Sequence, residues 1–200
     1  VYNMNRLLLI LILTLSFQTL TKADDIRDFE IEGMSIGDNA LNFFSKDIID
    51  SNTSFYPGNK EFFKSTIDQN NKQFNQVQMH IKIENGIYII YAVAGIIHFH
   101  RNDPKKKCID KRSSITKDIS TTIINAKKSN EEKDIYGGDK TGKSYSVSIF
   151  FDFKDDQSEY IKIGCVFYGE EFYKESNWPN HLRLSLTSSK YHHWLANITY

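Results

Sequence analysis

VQMHIKIE, residues 77–84, then Asn85-Gly86, then IYIIYAVAGIIHF, residues 87–99, is the stretch that decides the fold. The first segment alternates apolar and polar residues, as a strand with one buried face does. Asn-Gly between two such segments is the strongest short hairpin signal, because both turn positions need a positive φ. The second segment is apolar on both faces and reads as a central strand. A two-residue turn pairs Glu84 with Ile87 and Ile81 with Ile90. It also predicts that Val77, Met79, Ile81 and Ile83 share a face with Tyr88, Ile90, Ala92 and Ala94.

Working outward, Asn102-Asp103-Pro104 predicts a helix start, with Asp103 as cap and Pro104 at the first helical position. Cys108, Arg112, Ile115, Ile119, Ile123 and Ala126 follow at steps of three and four and predict one amphipathic helix. Lys127 to Gly142 is polar and reads as a loop. SYSVSIFFDF alternates through Tyr145, Val147, Ile149, Phe151 and Phe153. EYIKIGCVFYG alternates through Ile161, Ile163, Cys165 and Phe167. HLRLSLT places Leu182, Leu184 and Leu186 on one face, and Tyr191, Trp194, Leu195 and Ile198 predict a short closing helix. On the N-terminal side, Asp38 is a helix cap ahead of Leu41, Phe44 and Ile48, and Ser51 to Phe74 reads as a looser polar stretch turning at Pro57-Gly58. The expected architecture is α+β: an antiparallel sheet of about five strands, made of a hairpin, a helix and a three-stranded meander, with flanking helices. Its element order resembles the profilin-like and roadblock-like topologies, an analogy at fold level that carries no function.

Residues 4–23, MNRLLLILILTLSFQTLTKA, read as a signal peptide, with a basic start, an apolar segment from Leu7 to Phe17, and small residues near Ala23. That apolar run is shorter than the roughly 20 residues a membrane span needs. The expected division is therefore a signal peptide over 1–23 and a single α+β domain over 24–200, in a periplasmic or secreted protein with no stable membrane span after cleavage. Two cysteines in an exported chain predict a disulfide, Cys108 to Cys165, since both fall on core-facing positions. Closing that loop is worth about 4 kcal/mol on chain-entropy grounds. The 25 basic residues balance the 25 acidic ones, which disfavours a nucleic-acid partner.

FEIEGMSIGDNALNFFSKDII, within residues 29–49, resembles the opening of an uncharacterised family of exported proteins from AT-rich marine bacteria. Members carry a similar Ile-Glu-Gly-Met-Ser-Ile-Gly-Asp run before an amphipathic helix. The likeness covers about a tenth of the chain. It implies export and a shared domain, and no activity.

Three stretches invite a chemical reading. GGDKTGKS, residues 137–144, satisfies the phosphate-loop pattern letter by letter through Gly137, Gly142, Lys143 and Ser144. Phosphate cradling needs a strand before the loop and a helix after it, and here an alternating strand follows. A strand-leading loop accounts for it better. His98 and His100 stand two apart at a strand end, a spacing that metal sites use, with His80, His181 or His192-His193 as sources of a third ligand. Solvent-facing histidines are the simpler account. The run FYGEEFYKESNW, residues 167–178, offers Tyr168, Phe172, Tyr173 and Trp178 as a binding surface for a sugar or a protein. Its Glu170-Glu171 pair lacks an opposing carboxylate for glycosidase work. No Gly-x-Ser-x-Gly elbow is present. No catalytic residue and no cofactor is assigned. The expectation is a non-catalytic envelope domain binding a small molecule or protein. A small exported hydrolytic or metal-dependent enzyme is the alternative.

Overall fold

The computed structural model describes residues 24–70 and 72–198; the predicted signal segment, 1–23, lies outside the described residues. Among the described residues nine strands form one antiparallel sheet: β1 (Thr53–Tyr56), β2 (Asn59–Asp68), β3 (Gln76–Glu84), β4 (Ile87–His98), β5 (Lys127–Lys128), β6 (Glu132–Ile135), β7 (Tyr145–Asp152), β8 (Tyr160–Phe167) and β9 (His181–Thr187). Their order is β1-β2-β3-β4-β9-β8-β7-β5, with β6 also on β7. The described residues also hold the α-helices α1 (Lys46–Ser51), α2 (Lys105–Thr122), α3 (Glu170–Ser176) and α4 (Ser189–Ala196).

The α+β class stands, and the sheet is larger than the five strands expected. The stretch Ser51 to Phe74 is not loose: it holds the β1–β2 hairpin, turning at Pro57-Gly58. Lys127 to Gly142 holds β5 and β6, whose side chains are exposed throughout and so carry no alternation to read. The helix expected over Leu41 to Ile48 is instead a 3-10 turn at Ala40–Asn42, capped by Asn39, followed by the short α1, capped by Ser45. In α2, Pro104 itself takes the cap position.

The β3–β4 hairpin turns at Asn85 and Gly86, both at positive φ, 51° and 81°. Glu84 pairs with Ile87 and Ile81 with Ile90, as the spacing predicts. Beyond that the register departs from expectation. An irregularity between His80 and Ile81 leaves Tyr91 without a partner on β3, so that Met79 meets Val93 and Val77 meets Gly95. A one-residue bulge exchanges the faces of everything that follows it. Val93 therefore enters the core with Met79, and Ala92 and Ala94 turn to the opposite face. The bulge falls where β4 changes neighbours. From Ala92 onward β4 pairs with β9. At Ile90 it instead exchanges backbone bonds with the N-terminal segment: Gly37 N–H donates to Ile90 O at 2.8 Å and Ile90 N–H to Asp38 O at 2.9 Å.

One sheet face carries the main core. Met79, Ile81, Ile90, Val93, Ile161, Ile163 and Leu186 meet Ile26, Ile31, Met34, Ala40 and Ile49 of the N-terminal segment and α1. Helix α2 packs on the same face over β8 and β9, through Cys108 and half-buried Ile115 and Ile119. Cys108 and Cys165 are joined in a disulfide, Cα atoms 6.1 Å apart, which fastens α2 to β8 as the sequence predicts. The stripe also carries Arg112, buried, donating to Val147 O at 2.9 Å and to Glu131. On the opposite face, α4 packs Tyr191 and Trp194 against Phe62 and Ala92 near the β1–β4 end. The rest of that face is open. Among the described residues no helix is long and apolar enough to cross a membrane.

Candidate functional site

The open face is built from alternate positions of the central strands. In register across the sheet lie Tyr160, Thr187, Ala92, His80 and Lys64 in one row, and Lys162, Ser185, Ala94, Gln78 and Thr66 in the next. Small residues sit in the middle, on β4 and β9, and long polar residues at the sides. A sheet patterned this way is a trough. The bulge at Tyr91 puts Ala92 in the lining of the trough and Ala94 beneath the residues Gln78 and Ser185 that flank it.

Two cavities occupy the trough. One, of about 330 Å³, is closed at its end by Tyr191 and Leu195 of α4 and lined by Tyr56, His80, Tyr160 and Lys162. The other, of about 520 Å³, runs toward Tyr136, Tyr168, Trp178 and Pro179, with His98 and His181 on its floor. Lys64, Gln78 and Arg183 line both and form the boundary between them.

The electrostatics of this face are one-sided. Lys64, Lys162 and Arg183 contribute cations, and among the described residues no aspartate or glutamate lines either cavity. Burial lowers the pKa of all three; the Arg183 charge acts in the same direction on both lysines, while Asp134 and Glu132 on the β6 side oppose the shift at Lys162. Desolvated like charges with no carboxylate among the lining residues make a positive potential that a bound anion relieves. Arg183 is oriented by its Nη2 donating to Gln78 Oε1 at 2.7 Å.

The histidines belong to the same field. His80 is buried, with the hydroxyls of Tyr56 and Tyr191 both within hydrogen-bond distance of its Nδ1. Burial, then the charges of Arg183 and Lys64, holds its pKa well below the usual imidazole value. His181 is pushed down to about 4, chiefly by burial, and its Nδ1 lies 3.2 Å from Pro179 O. At neutral pH both rings are neutral, and the positive charge of the trough rests on the lysines and Arg183.

The residues singled out by sequence scatter. His98 lies on the trough floor opposite His181, ring centroids 6.5 Å apart. His100 lies beyond the end of β4, exposed, its N–H donating to Asp103. The strand ends before the two histidines can share a face, so His98 and His100 do not form the expected pair. Among the described residues no three of His, Cys, Asp and Glu are gathered as a metal-binding group.

The aromatic run divides too. Tyr168 is buried and stacked on Phe172 at 5.2 Å, and Trp178, half exposed, meets both rings edge-on at 6.0 Å. Tyr168 and Trp178 line the larger cavity. Tyr173 packs instead under the Arg101 guanidinium, 4.7 Å from its ring centroid. Glu170 pairs with Arg101 and Glu171 with Lys143, so each acid has its own cation.

The Gly137–Ser144 stretch connects β6 to β7 without a helix. Asp139 staples it: its carboxylate accepts from Ser144 N–H and Oγ and from Thr141 N–H and Oγ1. Ser144 Oγ accepts in turn from Gly169 N–H. The loop's polar groups are spent on holding β7 to the start of α3.

Arg183, Lys64, Lys162, Gln78 and Tyr160 were not legible as a site. HLRLSLT shows Leu182, Leu184 and Leu186 facing one way, but polar residues opposite a buried face ordinarily meet solvent. The one usable signal was that a strand apolar on both faces must lie in the sheet's interior. No protein-family model, curated protein or solved structure matches the chain.

Proposed function

We propose that this protein is an exported, non-catalytic binding module that takes a small organic anion on the open face of its sheet. The observation that carries this reading is the trough itself: three partly desolvated cations, one of them the oriented Arg183, and no carboxylate among the lining residues. An arginine held by a neutral amide keeps its charge available, and its planar fork suits carboxylate recognition. Small side chains on the floor leave room for a ligand rather than for a packed helix. Export is supported by the signal-like residues 4–23 and by the Cys108–Cys165 disulfide, which suits an oxidising compartment.

Calorimetric titration with small monocarboxylates at two salt concentrations tests the reading. Binding is expected to weaken with salt and to fall at least tenfold in Arg183→Gln at an unchanged thermal midpoint. Equal binding by Arg183→Gln, or none by the native protein, would overturn it. Export is tested by expression with residues 4–23 in place, which should yield a periplasmic chain starting near Asp24.

A further inference from the structure

We infer that the anion bound in the trough is an aromatic carboxylate, its carboxylate held between Lys64 and Arg183 and its ring seated in the larger cavity against Tyr168 and Trp178. The inference rests on the anion-binding reading and adds the identity of the uncharged part of the ligand.

The two cavities adjoin across one partition: Lys64, Gln78 and Arg183 are walls of both. A group bound to Arg183 therefore has open space on either side, and the two sides differ. The smaller cavity is bordered by Lys162, Tyr160 and the His80–tyrosine cluster, with Ala92, Val93 and Leu195 as its aliphatic lining, and offers less apolar area than the larger one. The larger, at about 520 Å³, is bordered by Tyr136, Tyr168, Trp178, Pro179 and Ile96. That volume suits a one- or two-ring molecule.

The chemistry of the larger cavity then selects its occupant. Its aromatic wall is braced from behind. Tyr168 stacks on Phe172 and meets Tyr136 edge-on at 5.3 Å, and Tyr136 meets Phe172 at 5.5 Å. Rings fixed by their neighbours present a pre-arranged surface, so binding orders little that was loose. Trp178 stands at the mouth with half its area exposed while touching Tyr168 and Phe172 edge-on. A tryptophan left open at the rim of a cavity offers a face for stacking, which favours a flat ring over a flexible alkyl chain. His98 and His181 on the floor, their pKa values lowered by burial, supply neutral imidazoles to a ring substituent instead of a second charge for a second anionic group. That restricts the charge to one end of the ligand. A divalent metal on the same two histidines is disfavoured, because Arg183 stands two residues from His181 on the same sheet face.

Titration of the native protein with phenylacetate, indole-3-acetate, cyclohexylacetate and phenylacetamide tests the proposal. The aryl acetates should bind at least tenfold tighter than cyclohexylacetate and than the neutral amide. Trp178→Ala should remove most of the aryl preference, bringing phenylacetate and indole-3-acetate to within about twofold of cyclohexylacetate in that variant. Arg183→Gln should weaken every carboxylate. Equal affinity for phenylacetate, indole-3-acetate and cyclohexylacetate would overturn the aromatic assignment and leave the anion site standing. An unchanged aryl preference in Trp178→Ala would overturn the placement of the ring. Failure of all the carboxylates to bind would remove both readings together. Unchanged thermal midpoints in the variants would show that each loss is local.

Discussion

Arg183 Nη2 on β9 donates to Gln78 Oε1 on β3 at 2.7 Å, and the two strands are not neighbours, because β4 runs between them. The side chains meet above β4, where Ala94, paired with both Gln78 and Ser185, is fully buried. A longer side chain at that position would occupy the space that this bond crosses.

Ala94→Leu should therefore both destabilise the protein and close the trough. Overpacking of this kind costs about 1–3 kcal/mol, and a domain of this size should lose about 5 °C of thermal midpoint. Calorimetry of the variant checks it. A native midpoint with native carboxylate binding would mean that Ala94 does not floor the site.

Phe62, fully buried between Tyr91, Tyr191 and Trp194, is the anchor of α4. Phe62→Ala should cost about 3–5 kcal/mol and loosen α4 first. Hydrogen exchange should then rise over residues 189–196 more than over β8. Uniform loss of protection would show that α4 is not a separate unit.

Reducing the Cys108–Cys165 bridge frees a loop spanning 57 residues. Chain entropy assigns about 4 kcal/mol to such a closure, so the midpoint should fall by about 10 °C under reductant. Differential scanning calorimetry in the two redox states reads this directly. A shift under 2 °C, set against that expectation, would count against a stabilising role.

His181 carries a testable pH dependence. Its folded-state pKa, about 4, lies below the unfolded imidazole's. As pH falls the unfolded chain takes up the proton first. Stability should be full above about pH 6.5 and decline as pH drops from there toward 4. The ring's proton resonances should titrate near 4, and His181→Gln should flatten the slope of urea midpoint against pH. A titration near 6.5 would sink the assignment.

Asp139 works in the acid range. Its carboxylate is held down to about 2, first by the Ser144 hydroxyl and then, against the opposing effect of burial, by Thr141. Its contribution should be complete above the ordinary carboxylate pKa and lost as pH falls toward 2. Asp139→Ala should speed amide exchange at Ser144 and Gly169 at neutral pH. Unaltered exchange there would mean that the staple is not what orders the loop.

Much of the core was readable. Asn85-Gly86 marked the hairpin, the steps of three and four marked α2, and two cysteines on core-facing positions marked the bridge. The alternation in β7, β8 and β9 named which residues face inward. Each of these signals is local and strong because burial imposes a period on the chain. β5 and β6 escaped because they bury nothing, and β1 and β2 because their polar residues masked Phe62, Phe63 and Ile67.

The sequence by itself determined the α+β class, the disulfide, and the strands whose one face must be dry. The open face was decided only by tertiary structure. Period-two alternation says which residues share a face, but a single bulged residue reverses that assignment downstream. Whether Tyr91 bulges depends on β4 changing partners, from Gly37–Asn39 at one end to β9 at the other, segments far apart in the chain. The gathering of Lys64, Lys162 and Arg183 follows from that pairing. Three cations on three different strands carry no shared local pattern, and become one field only when the sheet has its order.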